Sequence, residues 1–167
     1  MGERALIFVT VGTQLPFDRL IKTVDEWSGI NPTVNVFAQI GPTDFQPRHL
    51  ESVTFLSPDR VDYYFKNAEL IVSHAGMGSI ISALKYKKPI LIFPRLSELG
   101  EHRNNHQVAT AKRFGERTGV FVAWSEDDIR ASLDRRQVLV KGDDIAEMAD
   151  SHFIARLRGF ICKALNG

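Results

Sequence analysis

Residues 69–95 read ELIVSHAGMGSIISALKYKKPILIFPR, and their pattern determines the class of fold that we expect. The first segment, 69–74, and the last, 89–95, are continuous apolar runs, as in strands that are buried on both faces of a parallel sheet. Between them, residues 78–88 carry apolar side chains at helical spacing. A strand, a helix and a second strand in this order predict a right-handed βαβ crossover.

The same alternation continues on both sides of this unit. Further strands are predicted at 5–12, 33–41, 52–57 and 120–124, and further helices at 16–29, 58–68, 107–117, 125–135 and 143–165. The stretch SEDDIRASLDR (125–135) predicts a capped helix. Alternating strands and helices predict an α/β fold with a doubly wound, Rossmann-like parallel sheet, whose ligands bind at the carboxyl ends of the strands. Because no linker or repeat interrupts the 167 residues, we expect one domain over 1–167.

The composition excludes several classes of protein. With 44% hydrophobic and 25% charged residues, the chain is typical of folded proteins rather than disordered ones. Twenty-one basic and twenty acidic residues give a net charge of +1, which argues against a dedicated nucleic-acid binder. The single Cys162 cannot form an internal disulfide, so we expect a cytoplasmic setting. The N-terminal apolar run is too short for a signal peptide, and we expect no membrane span.

Three polar or glycine-containing loops follow predicted strands and should therefore meet at one edge of the sheet. They are VGTQ (11–14), SHAGMGS (73–79) and GEHRNNHQ (100–107). The convergence of these loops predicts that the ligand site lies there.

The loop SHAGMGS has features of an anion site. Gly76 and Gly78 would let the backbone approach a ligand, and Ser79 would begin a helix whose free N–H groups favour a diphosphate. His74 adds a donor at the mouth. A simpler alternative is that the glycines end a strand and Ser79 caps a helix. The loop has neither a Walker lysine nor G-x-G-x-x-G spacing, which argues against nucleoside triphosphates and NAD.

The other two loops allow two interpretations each. Gly12 and Thr13 could contact the same ligand or form a plain turn. The seven consecutive polar residues at 101–107 suit sugar hydroxyls, although a solvated surface segment would look the same. His102 and His106 have a spacing used by metal ligands on helices, but no third ligand is evident, so we expect no metal.

Together, three motifs resemble a known family. VTVGTQLPFDRLI, AELIVSHAGMGSIISAL and PILIFPRLSELGEHRNNHQ are similar to the nucleotide-binding, C-terminal-type half of GT-B glycosyltransferases of family 28. The resemblance covers about residues 5–125, in order and with matching spacing. Within the family, the chain resembles the small, one-domain subunit type of two-component transferases, known from eukaryotic UDP-GlcNAc transfer and bacterial exopolysaccharide synthesis.

This resemblance implies a function. The chain would be the donor-binding, catalytic subunit of an inverting hexosyltransferase that uses a UDP-sugar without a metal and acts on a lipid-linked or polysaccharide acceptor. A membrane-anchored partner would supply the acceptor-binding half and the general base, and would hold the subunit at the cytoplasmic face of the membrane. The sugar stays open among GlcNAc, glucose, glucuronate and galactose. The alternative is a regulatory subunit that binds UDP-sugar without catalysis.

The resemblance also assigns residues. Those expected around the donor phosphates are Gly12, Thr13, His74, Gly76, Gly78 and Ser79. Those expected near the donor sugar are Glu101, His102, Asn105 and Gln107, with His74, Glu101 and His102 as the catalytic candidates. Arg95 would add a charge behind them, and uracil would stack near residues 55–60. Family members commonly carry Glu three residues after the motif serine, where it binds ribose; here that position is Ser82, which bonds a hydroxyl more weakly.

Overall fold

The computed structural model describes residues 6–140, so the predicted helix 143–165 and Cys162 lie outside the described part of the chain. Within it, no helix combines the length and apolar character needed to cross a bilayer. The strands are β1 Leu6–Thr10, β2 Asn35–Gln39, β3 Glu51–Val53, β4 Leu70–His74, β5 Ile90–Phe93 and β6 Val120–Val122. The helices are α1 Asp18–Ile30, α2 Pro58–Asn67, α3 Met77–Lys85, α4 His106–Phe114, α5 Glu126–Asp134 and α6 Arg136–Val140, with a 3₁₀ turn at Ser97–Leu99.

The six strands form one sheet in the order β3-β2-β1-β4-β5-β6, and every neighbouring pair is parallel. β1 lies between β2 and β4, with Phe8 opposite Phe37 on one side and Ile71 on the other. From β1, the strands β2 and β3 follow on one side and β4, β5 and β6 on the other, so the strand order reverses between β1 and β4. This order confirms the predicted doubly wound, Rossmann-like α/β fold, and the reversal point is where such sheets bind ligands.

Apolar side chains cover both faces of the sheet. On one face Val9 and Leu91 pack in a cluster with Leu20, Trp27 and Ile129 of α1 and α5. On the other face, Phe8 and Ile92 belong to a second cluster with residues of α2, α3 and α4, including Tyr64, Ile80 and Phe114. Because successive strand residues point to opposite faces, burial on both sides requires apolar residues at consecutive positions. This requirement explains the continuous apolar runs in the sequence.

The start of α3 differs from the prediction. The helix begins at Met77 with Gly76 as its N-cap, two residues before the predicted first residue Ser79. Ser79 therefore lies within the first turn and does not begin the helix. By contrast, α5 has the predicted cap, because the Ser125 hydroxyl accepts from the Asp128 N–H and the Asp128 carboxylate accepts from the Ser125 N–H.

Candidate functional site

A cleft of about 660 Å³ opens at the carboxyl ends of β1, β4 and β5, where the three loops were predicted to meet. Nine predicted site residues line it: Gly12, Thr13, His74, Gly76, Gly78, Ser79, Ser82, His102 and Gln107. The other two predicted residues, Glu101 and Asn105, are not among the lining residues. The sheet topology therefore brings most of the predicted site together, although the residues are up to 95 positions apart in the numbering, from 12 to 107.

The His74 ring occupies the space that two glycines leave open. A Cβ atom on Gly76 would lie 2.2 Å from His74 Nε2, and one on Gly12 would lie 2.9 Å from His74 Cε1. Gly12 also has a φ of +79°, which L side chains rarely adopt. These two glycines are therefore required because any side chain there would collide with the imidazole. This role differs from the prediction that Gly76 lets the backbone approach a ligand.

Its surroundings keep the His74 ring uncharged. The pKa of His74 is lowered to about 4, mainly by burial and in second place by the positive charge of Arg95. A hydrogen bond with the Thr10 backbone acts in the opposite direction. The Ser73 hydroxyl lies 3.2 Å from Nδ1. At neutral pH, His74 is therefore a neutral hydrogen-bonding group at the wall of the cleft.

The glycine turn, residues 74–79, leads directly into the N-terminus of α3. No side chain of the described part of the chain caps this helix, so its first N–H groups have no side-chain acceptor there. Gly76, Met77, Gly78 and Ser79 all line the cleft. A Cβ on Gly78 would meet nothing within 4 Å, so this residue faces open space. Free N–H groups and the positive end of the helix dipole together favour an anion.

Arg95 lies buried behind the cleft wall and is only 3% exposed. Its Nη1 atom donates to the carbonyls of Pro16 (2.6 Å) and Glu101 (3.2 Å). Its Nη2 atom donates to the carbonyls of Val11 (2.8 Å) and Leu15 (2.7 Å). Burial lowers the pKa of Arg95 to about 10, so the guanidinium remains charged at neutral pH. It is the cation that faces His74 and His102.

Glu101 is engaged within the polar loop, residues 96–105. Its two carboxylate oxygens accept from Arg19 Nε and Nη2, both at 2.8 Å, and Oε2 also accepts from the Leu96 N–H at 2.9 Å. The Glu101 side chain is 11% exposed. The carboxylate predicted to be catalytic is therefore held in a bidentate ion pair.

Asn105 is likewise occupied inside the polar loop. Its Oδ1 atom accepts from the Ser97 N–H at 2.9 Å, and its Nδ2 atom donates to Glu98 at 3.1 Å. These bonds close the loop ahead of α4. The predicted contact of Asn105 with the donor sugar stays a prediction, and the structure gives this side chain a loop-closing role.

Two histidines of the cleft lining, His102 and His106, face each other. The rings of His102 and His106 lie nearly perpendicular, with 4.4 Å between their centroids. The pKa of His102 is lowered by burial and then by the charges of His106, Arg95 and Arg103. Its Nδ1 atom is buried and has no hydrogen-bond partner within residues 6–140. Over the same residues, no group of three or more His, Cys, Asp and Glu side chains could hold a metal ion.

Sequence reasoning missed several lining residues, of which Gln39 is the most informative. Gln39 is 3% exposed, and its Nε2 atom donates to the Gly12 carbonyl at 3.1 Å while its Oε1 atom accepts from the Leu56 N–H at 3.1 Å. A polar residue at the carboxyl end of a buried strand was the available signal. The other missed polar residues are Thr10, Gln14, His106 and Thr110, and the segment 55–60 predicted for uracil does not line the cleft.

The described lining of the cleft carries a positive charge and no negative one. Its described lining residues include Arg95 and three histidines but no carboxylate. An open cleft with a fixed cation, an uncapped helix N-terminus and several hydroxyl and amide groups can hold a phosphate-bearing ligand. Among residues 6–140, its lining offers no carboxylate as a general base.

Comparison with known proteins identifies the family. A sequence model of the glycosyltransferase family 28 C-terminal domain matches residues 6–137. The chain belongs to this family. The membership predicted from the three motifs is confirmed, and the match covers every strand of the sheet.

Relatives of this family 28 domain include two fungal proteins named UDP-N-acetylglucosamine transferase subunit ALG13. The one from Candida albicans is 33% identical over 70 residues, which are 42% of this chain and 22% of the relative. The one from Yarrowia lipolytica is 26% identical over 141 residues, which are 74% of this chain and 67% of the relative. This chain thus spans about a fifth of the Candida relative.

The fold of the family 28 domain is also similar to that of the glycotransferase of kitacinnamycin. That crystal structure superposes with a TM-score of 0.68 at 22% sequence identity, and the match covers 95% of this chain and 40% of the other. The similarity is one of fold, and it confirms the predicted Rossmann-like half of a GT-B glycosyltransferase.

Proposed function

We propose that this chain is the donor-binding, catalytic subunit of a two-component inverting glycosyltransferase that uses a UDP-sugar. The observation that carries the proposal is the cleft at the reversal point of the sheet, which combines the uncapped N-terminus of α3, the buried cation Arg95 and a complete absence of carboxylates among its described lining residues. A diphosphate is the ligand that such a site suits best.

The diphosphate, the sugar and the ribose of the donor can each be assigned to residues of the cleft. The diphosphate would accept hydrogen bonds from the N–H groups at the start of α3 and from the Ser79 hydroxyl. The sugar would lie toward His102 and Gln107, and Thr13 would contribute from the opposite side. Ser82, one turn along α3 from Ser79, would face the ribose. Neither this arrangement nor the reaction requires a metal, because backbone dipoles and Arg95 supply the positive potential.

In the proposed reaction, an acceptor hydroxyl oxygen forms a bond to the anomeric carbon as the bond from that carbon to the β-phosphate oxygen breaks. Negative charge develops on the departing UDP, and the α3 N-terminus, neutral His74 and Ser79 would stabilise it by hydrogen bonding. The acceptor proton needs a base, and the only carboxylate of the predicted site, Glu101, is paired with Arg19. This is the reason to place the general base on a partner chain.

The identity of the sugar, acceptor and partner extends the proposal further. Both fungal relatives are named as UDP-N-acetylglucosamine transferase subunits, so UDP-GlcNAc is the first donor to test, followed by UDP-glucose, UDP-glucuronate and UDP-galactose. The proposed partner is a membrane-anchored subunit that binds a lipid-linked or polysaccharide acceptor. It would hold this chain at the cytoplasmic face of the membrane.

A second function is favoured by a specific observation. Ser82 lines the cleft at the position where the resemblance implies a ribose-binding Glu, so a nucleotide would be held more weakly or in another pose. Both Ser82 at this position and the lack of a general base in the described cleft would be expected of a regulatory subunit that senses UDP-sugars without transferring them.

Calorimetry and a transfer assay separate these functions. Titration of the chain with UDP and the four UDP-sugars should show binding that needs no divalent cation and persists in EDTA. Radiolabelled sugar should then reach a membrane acceptor only when the acceptor-binding subunit is present. Binding without transfer in the reconstituted pair would favour the regulatory function, and the absence of UDP binding with and without the partner would exclude both.

A further inference from the structure

Arg95 has more hydrogen bonds to the main chain than its place at the end of β5 requires. Its two terminal nitrogens donate to four carbonyl oxygens, three from the β1–α1 loop and one from the polar loop. The main-chain N–H of Arg95 donates to Gln107 Oε1 at 3.1 Å, and this bond connects the end of β5 to the first turn of α4. The Arg95 side chain therefore joins two segments that border the cleft, the β1–α1 loop and the polar loop, and its main-chain N–H adds a bond to α4.

We propose that Arg95 is a positioning residue that fixes the separation of the β1–α1 loop and the polar loop, and thereby the width of the donor cleft. The identity of the ligand in this cleft, a UDP-sugar donor, rests on the proposed function. The loop-holding role stands on the geometry of the four carbonyl bonds alone.

The chemistry of the guanidinium explains why arginine occupies this position. Two nitrogens that each present two N–H groups in a plane can reach four acceptors at fixed angles, whereas the ammonium of lysine has three donors on one atom. The Arg95 guanidinium also stacks over the Phe17 ring, 4.7 Å from its centroid. Its planar shape is therefore fixed on one face by the ring and at its edge by carbonyls.

The energetic cost of burial makes a role in packing alone a poor explanation. A buried cation is expensive unless it is paired. Burial lowers the pKa of Arg95 and the negative charge of Glu101 partly offsets this shift, but the Glu101 carboxylate makes its direct bonds to Arg19 and Leu96. Four carbonyl dipoles replace the lost water around Arg95. An apolar side chain would fill the same volume without this cost, but it would leave the two loops unconnected.

The first test measures the loops without any ligand. Amide hydrogen exchange would be followed in the intact chain, in Arg95→Lys and in Arg95→Met. We expect exchange within 11–16 and 96–105 to rise about tenfold or more in both variants, with the central strands unchanged. Unchanged exchange in both loops of Arg95→Lys would overturn the proposal. Should Arg95→Met fail to fold, Arg95→Lys still decides the question.

Arg136→Met provides the matched control. Arg136 also donates to a backbone carbonyl, that of Leu133, and lies over an aromatic ring, that of Trp27, but it does not line the cleft. This variant should leave exchange in both loops at the rate of the unmodified chain. An equal rise in the control would mean that loss of any stacked arginine loosens these loops, and it would overturn the assignment to Arg95.

The second test distinguishes positioning from general stability. In ligand-free protein, the His74 ring would be titrated by NMR; the charged groups that face it are Arg95 and His102, and those that face His102 are His106, Arg95 and Arg103. Arg95→Met should raise the pKa of His74, because a facing cation is lost, and Arg95→Lys should leave it low. If the pKa of His74 were the same in Arg95→Met as in the unmodified chain, the Arg95 guanidinium would not face the cleft as proposed.

The third test connects Arg95 to the ligand. At pH 7, Arg95→Lys should bind UDP about tenfold more weakly than the unmodified chain, because the charge is kept but the loop spacing is lost. Equal affinity would overturn the role in donor binding. If the unmodified chain binds no UDP, the proposed function fails, whereas the exchange and titration results still decide whether Arg95 holds the loops.

Discussion

The glycine turn and the polar loop flank the same cleft but are built on opposite principles. In the glycine turn, the absence of side chains creates the site: Gly76, together with Gly12 of the β1–α1 loop, leaves room for the His74 ring, and main-chain N–H groups face the ligand space. In the polar loop, many polar side chains are present, yet Glu101 and Asn105 bond to the loop itself and to α1. The number of polar residues in a loop therefore does not measure how many of them contact a ligand.

The largest expected effect tests the internal role of Glu101. Glu101→Ala should lower the free energy of unfolding by about 3 to 5 kcal/mol, because Arg19 loses its carboxylate in a site that excludes most water. Urea denaturation followed by circular dichroism would measure the change.

Glu126→Ala is its control, since Glu126 lies 3.9 Å from the same arginine and is 42% exposed. It should change the free energy of unfolding by less than about 0.5 kcal/mol. If Glu101→Ala were as stable as the unmodified chain but lost transfer activity, the catalytic assignment of Glu101 would be restored.

The next effect concerns the ring at the glycine turn. In the folded chain His74 stays neutral down to about pH 4, whereas in the unfolded chain it takes up a proton near pH 6.5. The unfolded state thus binds more protons within this window, so the protonation of His74 alone lowers the free energy of unfolding by about 3 kcal/mol as the pH decreases from 6.5 to 4.

The measurement is the free energy of unfolding of the unmodified chain and of His74→Gln across this pH range. The variant lacks the titrating ring, so its curve should be flatter by the contribution of His74. Parallel curves for the two proteins would show that His74 is not held neutral by the fold.

The smallest effect compares two glycines two residues apart. Gly76→Ala should lower the free energy of unfolding by about 2 kcal/mol, because the new methyl group would occupy the place of the His74 ring. Gly78→Ala, in the first turn of α3 with open space around it, should be neutral or stabilise by up to about 1 kcal/mol. Thermal melts of the two variants would separate them, and equal melting temperatures would refute the proposed reason for Gly76.

Local patterns predicted the architecture well for a physical reason. Strands buried on both faces need consecutive apolar residues, so β1, β4 and β5 were visible as continuous runs, and the Ser125 cap of α5 was visible in its own first turn. The location of the cleft followed from the same reasoning, since parallel strands bring their carboxyl ends to one edge.

What could not be predicted depends on partners that are distant in the sequence. The arginine that neutralises Glu101 lies 82 residues earlier, and the carbonyls that surround Arg95 are up to 84 residues away. No spacing rule relates such positions. The start of α3 was misplaced for a local reason, because Ser79 is a better capping residue by composition than the Gly76 that the turn requires to accommodate His74.

The uncapped start of α3 has a genetic consequence. Main-chain N–H groups are the same in every residue except proline, so substitutions at Met77 and Gly78 leave the proposed main-chain phosphate contacts in place, whereas a substitution at Ser79 removes the hydroxyl contact. A library of single variants selected for loss of UDP binding would therefore be depleted at Met77 and Gly78 and enriched at Gly12, Gly76, Ser79 and Arg95. Tolerance of substitution at a contact position would, in this protein, indicate that the backbone and not the side chain recognises the ligand.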